Sequence, residues 1–292
     1  MGDRFMDSRK IRLVLIGLTV AAAASPAMAE RVRWASRVNT QFGAGQIDQT
    51  KLDLKVNGGG STFVFDSAGG AGDPAGRSFT AAGSADLGLG EMRLNLIGSG
   101  GPGLGFDNAI WIVNAMLIET FQFEGTFSGQ SVPFSLSLDG FWGNSGDPLQ
   151  SANSRTQLFI MDGDVVIDAS TLASAQTINN DILFNPAITP RVSDLRQLDY
   201  QVPGPLVSSG SVVLNGVNPR IQVVFGTTLV ARSNSANTAF FGDFTNTAYA
   251  SADFGGLTVY SESGTFPGTL PIPAPGALAA LGAAGLLARR RR

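Results

Sequence analysis

Asp162, Asp164 and Asp168 are the residues whose type and spacing come nearest to ligand chemistry. They share parity, so on a continuous strand the three carboxylates project to one face. Hard oxygen donors grouped in this way, with Asn153 or Asp139 nearby, suit calcium. The spacing is not that of a helix–loop–helix calcium site, and Gly163 interrupts the strand. The competing reading is an Asp-Gly hairpin turn with solvated carboxylates. Asp86 with Glu91, and Glu119 with Glu124, are carboxylate pairs of the kind that hydrolyses glycosides, a reaction that needs them about 5 to 10 Å apart across a cleft. Sequence spacing does not fix that distance, and surface carboxylates are far commoner. Trp142 lies in Asp139-Gly140-Phe141-Trp142-Gly143-Asn144, where adjacent aromatics with amide and carboxylate neighbours suit a sugar ring. The alternative for Trp142 is a core aromatic, and Trp111, inside an apolar run, reads as core.

Most other chemistry is closed to this chain. It contains no cysteine and no histidine. A Ser-His-Asp triad, a Cys-His pair, a His/Cys zinc site and a haem-ligating His cannot be assembled within it. Its glycine-rich stretches lack a following Lys-Ser/Thr and a βαβ setting, so they read as loops and not as phosphate cradles. Formal net charge is −3, and much of the basic charge sits near the two ends, which leaves the middle acidic. Phosphate backbones need clustered Lys and Arg, so nucleic acid is not an expected partner. The expectation is a non-catalytic protein with no cofactor, calcium being the one candidate ligand.

The two ends carry the clearest signals. Pro271, Pro273 and Pro275 hold the chain extended, because proline fixes φ and disfavours helix in its predecessor. An apolar run from Ala277 to Ala288 follows, and then Arg289, Arg290, Arg291 and Arg292. As a helix the run covers only ~20 Å at about 1.5 Å per residue, short of a bilayer core about 30 Å thick. The arginines favour the cytoplasmic side. Such a segment suits a transient membrane stop held until an enzyme cuts upstream. At the other end, Arg4, Arg9, Lys10 and Arg12 precede an apolar stretch from Leu13 to Ala24. Ala27-Met28-Ala29 is a small-x-small cleavage site, which places the mature start at Glu30. Arg9-Lys10 is not a twin arginine, so the general secretory route is expected.

Ile272-Pro273-Ala274-Pro275-Gly276-Ala277-Leu278, the Leu/Gly/Ala helix and the arginine block together resemble a PEP-CTERM sorting signal. That family's motif is Pro-Glu-Pro, and here Ala274 stands between Pro273 and Pro275. The resemblance covers under a tenth of the chain. It implies an exported bacterial protein that meets the export machinery, crosses the membrane transiently at its tail and is processed by an exosortase-like enzyme. It further implies residence in the cell envelope or extracellular matrix, associated with exopolysaccharide.

Positioning any of these residues falls to the middle of the chain. Residues 1–29 form a signal peptide and 271–292 the sorting tail with a short hydrophobic helix. The segment between, 30–270, is about 240 residues, one large all-β domain or two small ones. Leu52, Leu54 and Val56 alternate with Lys51, Asp53 and Lys55, which predicts a half-buried strand. Asn57 to Gly60 then turns the chain into Thr62-Phe63-Val64-Phe65 as a hairpin. Ala109 to Phe123, rich in β-branched and aromatic residues, reads as strand. A phase switch at Gly90-Glu91 predicts a bulge or break, and Asp139-Gly140 a turn. Helix is expected only at Ser170–Gln176 and Val192–Leu198. Many short strands with Gly, Asn and Asp turns predict a β-sandwich, jelly-roll-like. Two functions stay open: a surface or matrix protein associated with exopolysaccharide, and a secreted carbohydrate-binding or carboxylate-dependent carbohydrate-active protein. A third is polymerisation through exposed strand edges.

Overall fold

The computed structural model describes residues 31–44, 47–58, 61–69, 78–99, 109–146, 151–162, 167, 169–174, 192–198, 206–233 and 238–272. The strands begin with β1 (Ala35–Ala44), β2 (Ile47–Val56), β3 (Thr62–Gly69), β4 (Ser78–Asp86) and β5 (Glu91–Ser99). Then come β6 (Ala109–Phe123), β7 (Thr126–Leu138), β8 (Phe141–Gly146) and β9 (Ser151–Asp162). After a short helix, α1 (Ala169–Ser174), follow β10 (Val192–Leu198), β11 (Leu206–Val217), β12 (Arg220–Ser233) and β13 (Thr238–Ala252). The short β14 (Val259–Ser261) and β15 (Leu270–Pro271) end the domain.

Two sheets form. Sheet I runs β10-β9-β12-β6-β1-β2, with β14 joined to β6 and β15 to β14, and sheet II runs β11-β7-β13-β5-β4-β3, with β8 also on β13. Pairings are antiparallel except β14 with β15. The sheets share one large apolar core. Phe42 of β1 stacks on Phe79 of β4 with ring centroids 5.4 Å apart, Trp111 of β6 meets Phe240 of β13 at 4.9 Å, and Phe121 meets Phe134 of β7 at 5.6 Å. The architecture is an all-β sandwich.

The two sheets differ in how their strands are buried. In sheet II, β4, β5 and the second half of β7 alternate buried and accessible residues, as a sheet with one open face must. In sheet I, every residue from Trp111 to Phe121 of β6 and from Ile221 to Ala231 of β12 is buried. The odd-numbered apolar side chains of these two strands enter the shared core. The even-numbered Met116, Ile118 and Val224 form a second cluster with Val32, Phe159, Ile167 and Leu172 of α1. Further along that face Arg37 donates to Asn114 Oδ1 at 2.8 Å, and Asn114 donates in turn to Asn39 Oδ1, all three buried.

Several local expectations are corrected. Residues 52–65 are not a hairpin: β2 belongs to sheet I and β3 to sheet II, so the chain crosses between sheets after Asn57. In β2, Lys51, Asp53 and Lys55 lie in register with Thr40, Val38 and Ser36, on the parity of β1 that faces the other sheet, while Leu52 is exposed. These charges meet the open edge of β3. Lys55 Nζ donates to Ser61 O, Phe63 N donates to Asp53 Oδ2 at 2.9 Å, and Lys51 Nζ reaches Phe65 O at 3.5 Å. Lys51 also pairs with the buried Asp66 at 2.7 Å. Charged groups on an unpaired edge are a recognised block to strand addition. Val192–Leu198 is the edge strand β10 and not helical. Asp139-Gly140 is a break between β7 and β8, which continue along the same partner, β13, opposite a register shift between Phe244 and Ala248. Of the helix expected at 170–176 the described part is α1, Ala169–Ser174, and the long strand at 109–123 is present as expected, as is the break at Gly90-Glu91, where β4 turns into β5.

Candidate functional site

The residues singled out from the sequence are scattered. Asp162 closes β9, while Asp164 and Asp168 lie outside the described residues. Among the described residues no three His, Cys, Asp or Glu side chains group closely enough to hold a metal ion. Ala27, Ala29, Glu30, the Pro273-Ala274-Pro275 motif and Arg289 to Arg292 also lie outside them. No described helix is long and apolar enough to cross a membrane. Asp86 and Glu91 face each other across the β4–β5 turn, but Asp86 Oδ1 accepts from Leu89 N at 3.1 Å and Glu91 is tied to Arg93 at 3.1 Å. Glu119 is buried, whereas Glu124 lies exposed at the end of β6 and accepts from Tyr260 Oη at 2.8 Å.

Glu119 belongs to a clasp on the C-terminal segment. Its carboxylate accepts from Ser263 Oγ, from Ser263 N at 3.2 Å and from Thr120 N at 3.0 Å. Burial pushes its pKa up to about 7, and these hydrogen bonds oppose the rise only in part. Beside it Glu262 N donates to Thr120 O at 2.9 Å, Arg220 pairs with Glu262, and Phe266 is buried against Phe121 and Phe225 at 5.0 and 5.9 Å. The N-terminal segment arrives at the same place. Arg33 O accepts from Thr120 Oγ1 at 2.6 Å, Arg33 pairs with Glu262 at 3.6 Å, and Val32 O accepts from Gln222 Nε2 at 2.9 Å. Both ends of the domain therefore leave from one pole, and Pro271 is paired with Ser261 immediately before the tail.

The other feature is the outer face of sheet II. Phe63 is 62% exposed, Phe65 57%, Tyr249 48%, Phe141 46% and Phe241 42%. Alternation decides which ring of the Phe141-Trp142 pair faces out. Trp142 turns toward the core, lies across Gly242, meets Phe244 at 5.7 Å and donates from Nε1 to Ser154 Oγ at 3.3 Å. Phe141 turns outward and meets Phe241 edge-on at 5.6 Å and 89°. Phe241 in turn lies over Gly143, its cross-strand partner, where a Cβ would come within 2.4 Å of the ring. A depression of about 280 Å³ opens beside Phe63, lined by Ala82, Ser84, Arg93, Asn95 and Thr245. A second, of about 490 Å³, lies at the β11–β7–β13 end and is lined by Ser135, Ser209, Ser211, Ser251 and Asp253. Sequence reading passed over Phe63 and Phe65 because Thr62-Phe63-Val64-Phe65 looks uniformly core-like. Parity ties Phe63 and Phe65 to one face, but which face that is comes only from the fold, where Thr62, Val64 and Asp66 take the inward side.

No family model and no curated protein matches the chain. Comparison with solved structures pairs it with the structure of infectious bursal disease virus Gx strain at 10% identity, covering 88% of this chain and 73% of that one, with a TM-score of 0.10. A superposition that poor carries no weight for fold or function.

Proposed function

We propose that this is an exported, non-catalytic cell-surface or extracellular-matrix protein of a bacterium, associated with exopolysaccharide. In this proposal a signal peptide directs the chain to the export machinery, and a PEP-CTERM-like tail holds it briefly at the membrane for an exosortase-like enzyme. The domain between is a sandwich of the jelly-roll-like kind. The observation that best supports the proposal is the shared exit of the two ends beside Thr120, through Arg33 on one side and Glu262 on the other. In this proposal the domain is attached at that pole, and the open face of sheet II stays available to a partner. The acidic middle and the absence of His and Cys agree with display rather than catalysis.

Replacing Pro273 and Pro275 by alanine tests the sorting half. Retention in the membrane fraction at unprocessed mass is expected, and unchanged surface delivery with unchanged mature mass would reject it. A glycan array probed with and without calcium tests the partner. Binding to neutral glycans independent of calcium is expected. Calcium-dependent binding would instead favour the metal reading of Asp162, Asp164 and Asp168.

A further inference from the structure

We infer that the outer face of sheet II, from Phe63 and Phe65 on β3 to Phe241 and Phe141 on β13 and β8, is a trough for one uncharged glycan chain lying across the strands. This rests on the exopolysaccharide reading above and narrows it to a place and a chemical class.

The register supplies the trough. Phe65 is paired with Ala82, Ala82 with Asn95, Asn95 with Asp243 and Asp243 with Phe141. These five residues form one cross-strand row through β3, β4, β5, β13 and β8. Four inter-strand steps of about 4.8 Å put its ends ~19 Å apart. Aromatic rings stand at both ends, with Phe63 next to Phe65 along β3 and Phe241 seated against Phe141. Small and polar side chains form the floor between them, and the depression of about 280 Å³ opens there, with Ser84, Asn95 and Thr245 in its walls.

The chemistry selects the occupant. A sugar ring offers an apolar C–H face to an aromatic ring and hydroxyls to amide and hydroxyl side chains, and this row meets the first demand at its two ends and the second between them. A lipid surface would desolvate Asn95 and the carboxylate of Asp243, of which Oδ1 alone is satisfied among the described residues, by Thr245 N and Oγ1 at 3.1 and 2.6 Å. The acids at this face are Asp86, Glu91 and Asp243, and Arg93 is already engaged by Glu91 at 3.1 Å. An anionic polymer meets repulsion here. A second copy docked by the same face about a two-fold axis would bring the same acids together. A neutral glycan meets neither obstacle. The stacking expected of Trp142 passes to its neighbour Phe141, because Trp142 is spent on the core.

Affinity gel electrophoresis of the full chain tests this, with hydroxyethylcellulose, dextran, galactomannan and acidic alginate each cast into the gel. Retardation is expected in at least one neutral polymer and not in alginate. Phe63→Ala/Phe65→Ala and Phe141→Ala/Phe241→Ala should each weaken it about tenfold or more. Val207→Ala/Val213→Ala, at the far end of the same face, should leave it unchanged. Phe65→Tyr, which keeps the ring, should retain most of it, so a general loss of folding is separable from loss of stacking. Retardation that ignores both phenylalanine pairs would overturn the trough while leaving exopolysaccharide association standing. Retardation only in alginate would overturn the neutral class. No retardation in any polymer would remove both proposals. A dimer by sedimentation that the phenylalanine variants dissociate would make the face a contact between copies.

Discussion

Sheets I and II are made from the same chain with the same antiparallel pairing, yet they are used differently. The central strands of sheet I are buried on both faces, one against the shared core and the other under Val32, Ile167 and Leu172. Sheet II is buried on one face only, and its other face carries Phe63, Phe65, Phe141, Phe241 and Tyr249 into solvent. Large apolar groups are normal in an interior and informative when they cluster outside. The contrast teaches where a partner has room to land. Sheet I holds the domain and its two ends together, and sheet II is the surface on offer.

The contrast is broken most directly by matched truncations. Ile118→Ala, on the covered face of sheet I, should cost about 2–5 kcal/mol in denaturant unfolding. Phe65→Ala, on the open face of sheet II, should stay within about 0.5 kcal/mol despite removing a larger side chain. Equal losses at the two sites would mean that the outer face of sheet II is also covered.

Glu119 gives the next largest effect, through the clasp that ties the C-terminal segment to sheet I. Its folded pKa of about 7 lies above the ordinary value of 4.5, so the folded state holds a proton that the unfolded state has lost between those values. Stability should therefore fall as pH rises from about 4.5 to about 7 and then level off, by on the order of 3 kcal/mol. Glu119→Gln should abolish that slope in midpoints measured across the window. A slope that survives the substitution would assign it to other groups.

These sites also separate what the sequence discloses from what it hides. Residues 109–123 and the phase switch at Gly90-Glu91 were legible, because length, β-branching and period two are local properties. The sidedness of β2 was not. Leu52, Leu54 and Val56 share one parity and Lys51, Asp53 and Lys55 the other, and apolar content alone assigns the leucines inward. In the fold the charged side has a use that pattern cannot reveal, the open edge of β3 in the other sheet. Val192, Leu195 and Leu198 recur at helical spacing, but pairing with β9 overrides so short a pattern. Glu119 was visible as a carboxylate. Its burial depends on Ser263, 144 residues away. The open face was hidden for the same reason: Phe65 and Phe141 become neighbours in a row only through the register of five strands.

Smaller effects sharpen the picture at the crossings and edges. Asn218 has φ of 49° where the chain passes from sheet II to sheet I, and its Oδ1 accepts from Gly125 N at 2.8 Å, across the opposite crossing. Asn218→Ala should cost about 1–2 kcal/mol, from left-handed strain and the lost acceptor, and Asn218→Gly less. Asp53→Ala with Lys55→Ala should change stability by no more than about 1 kcal/mol. The same pair should raise light scattering at high concentration as the edge of β3 is unguarded. Unchanged scattering would show that these charges do not prevent strand addition.

The central claim is that sheet II presents the face that meets exopolysaccharide. Hydroxyl-radical footprinting of the protein with and without the polymer reads this residue by residue. Protection should fall on Phe63, Phe65, Phe141, Phe241 and Tyr249, while Met116 and Phe159 of sheet I stay equally unreactive in both states. Unchanged reactivity of the five rings, with protection elsewhere or nowhere, would contradict it.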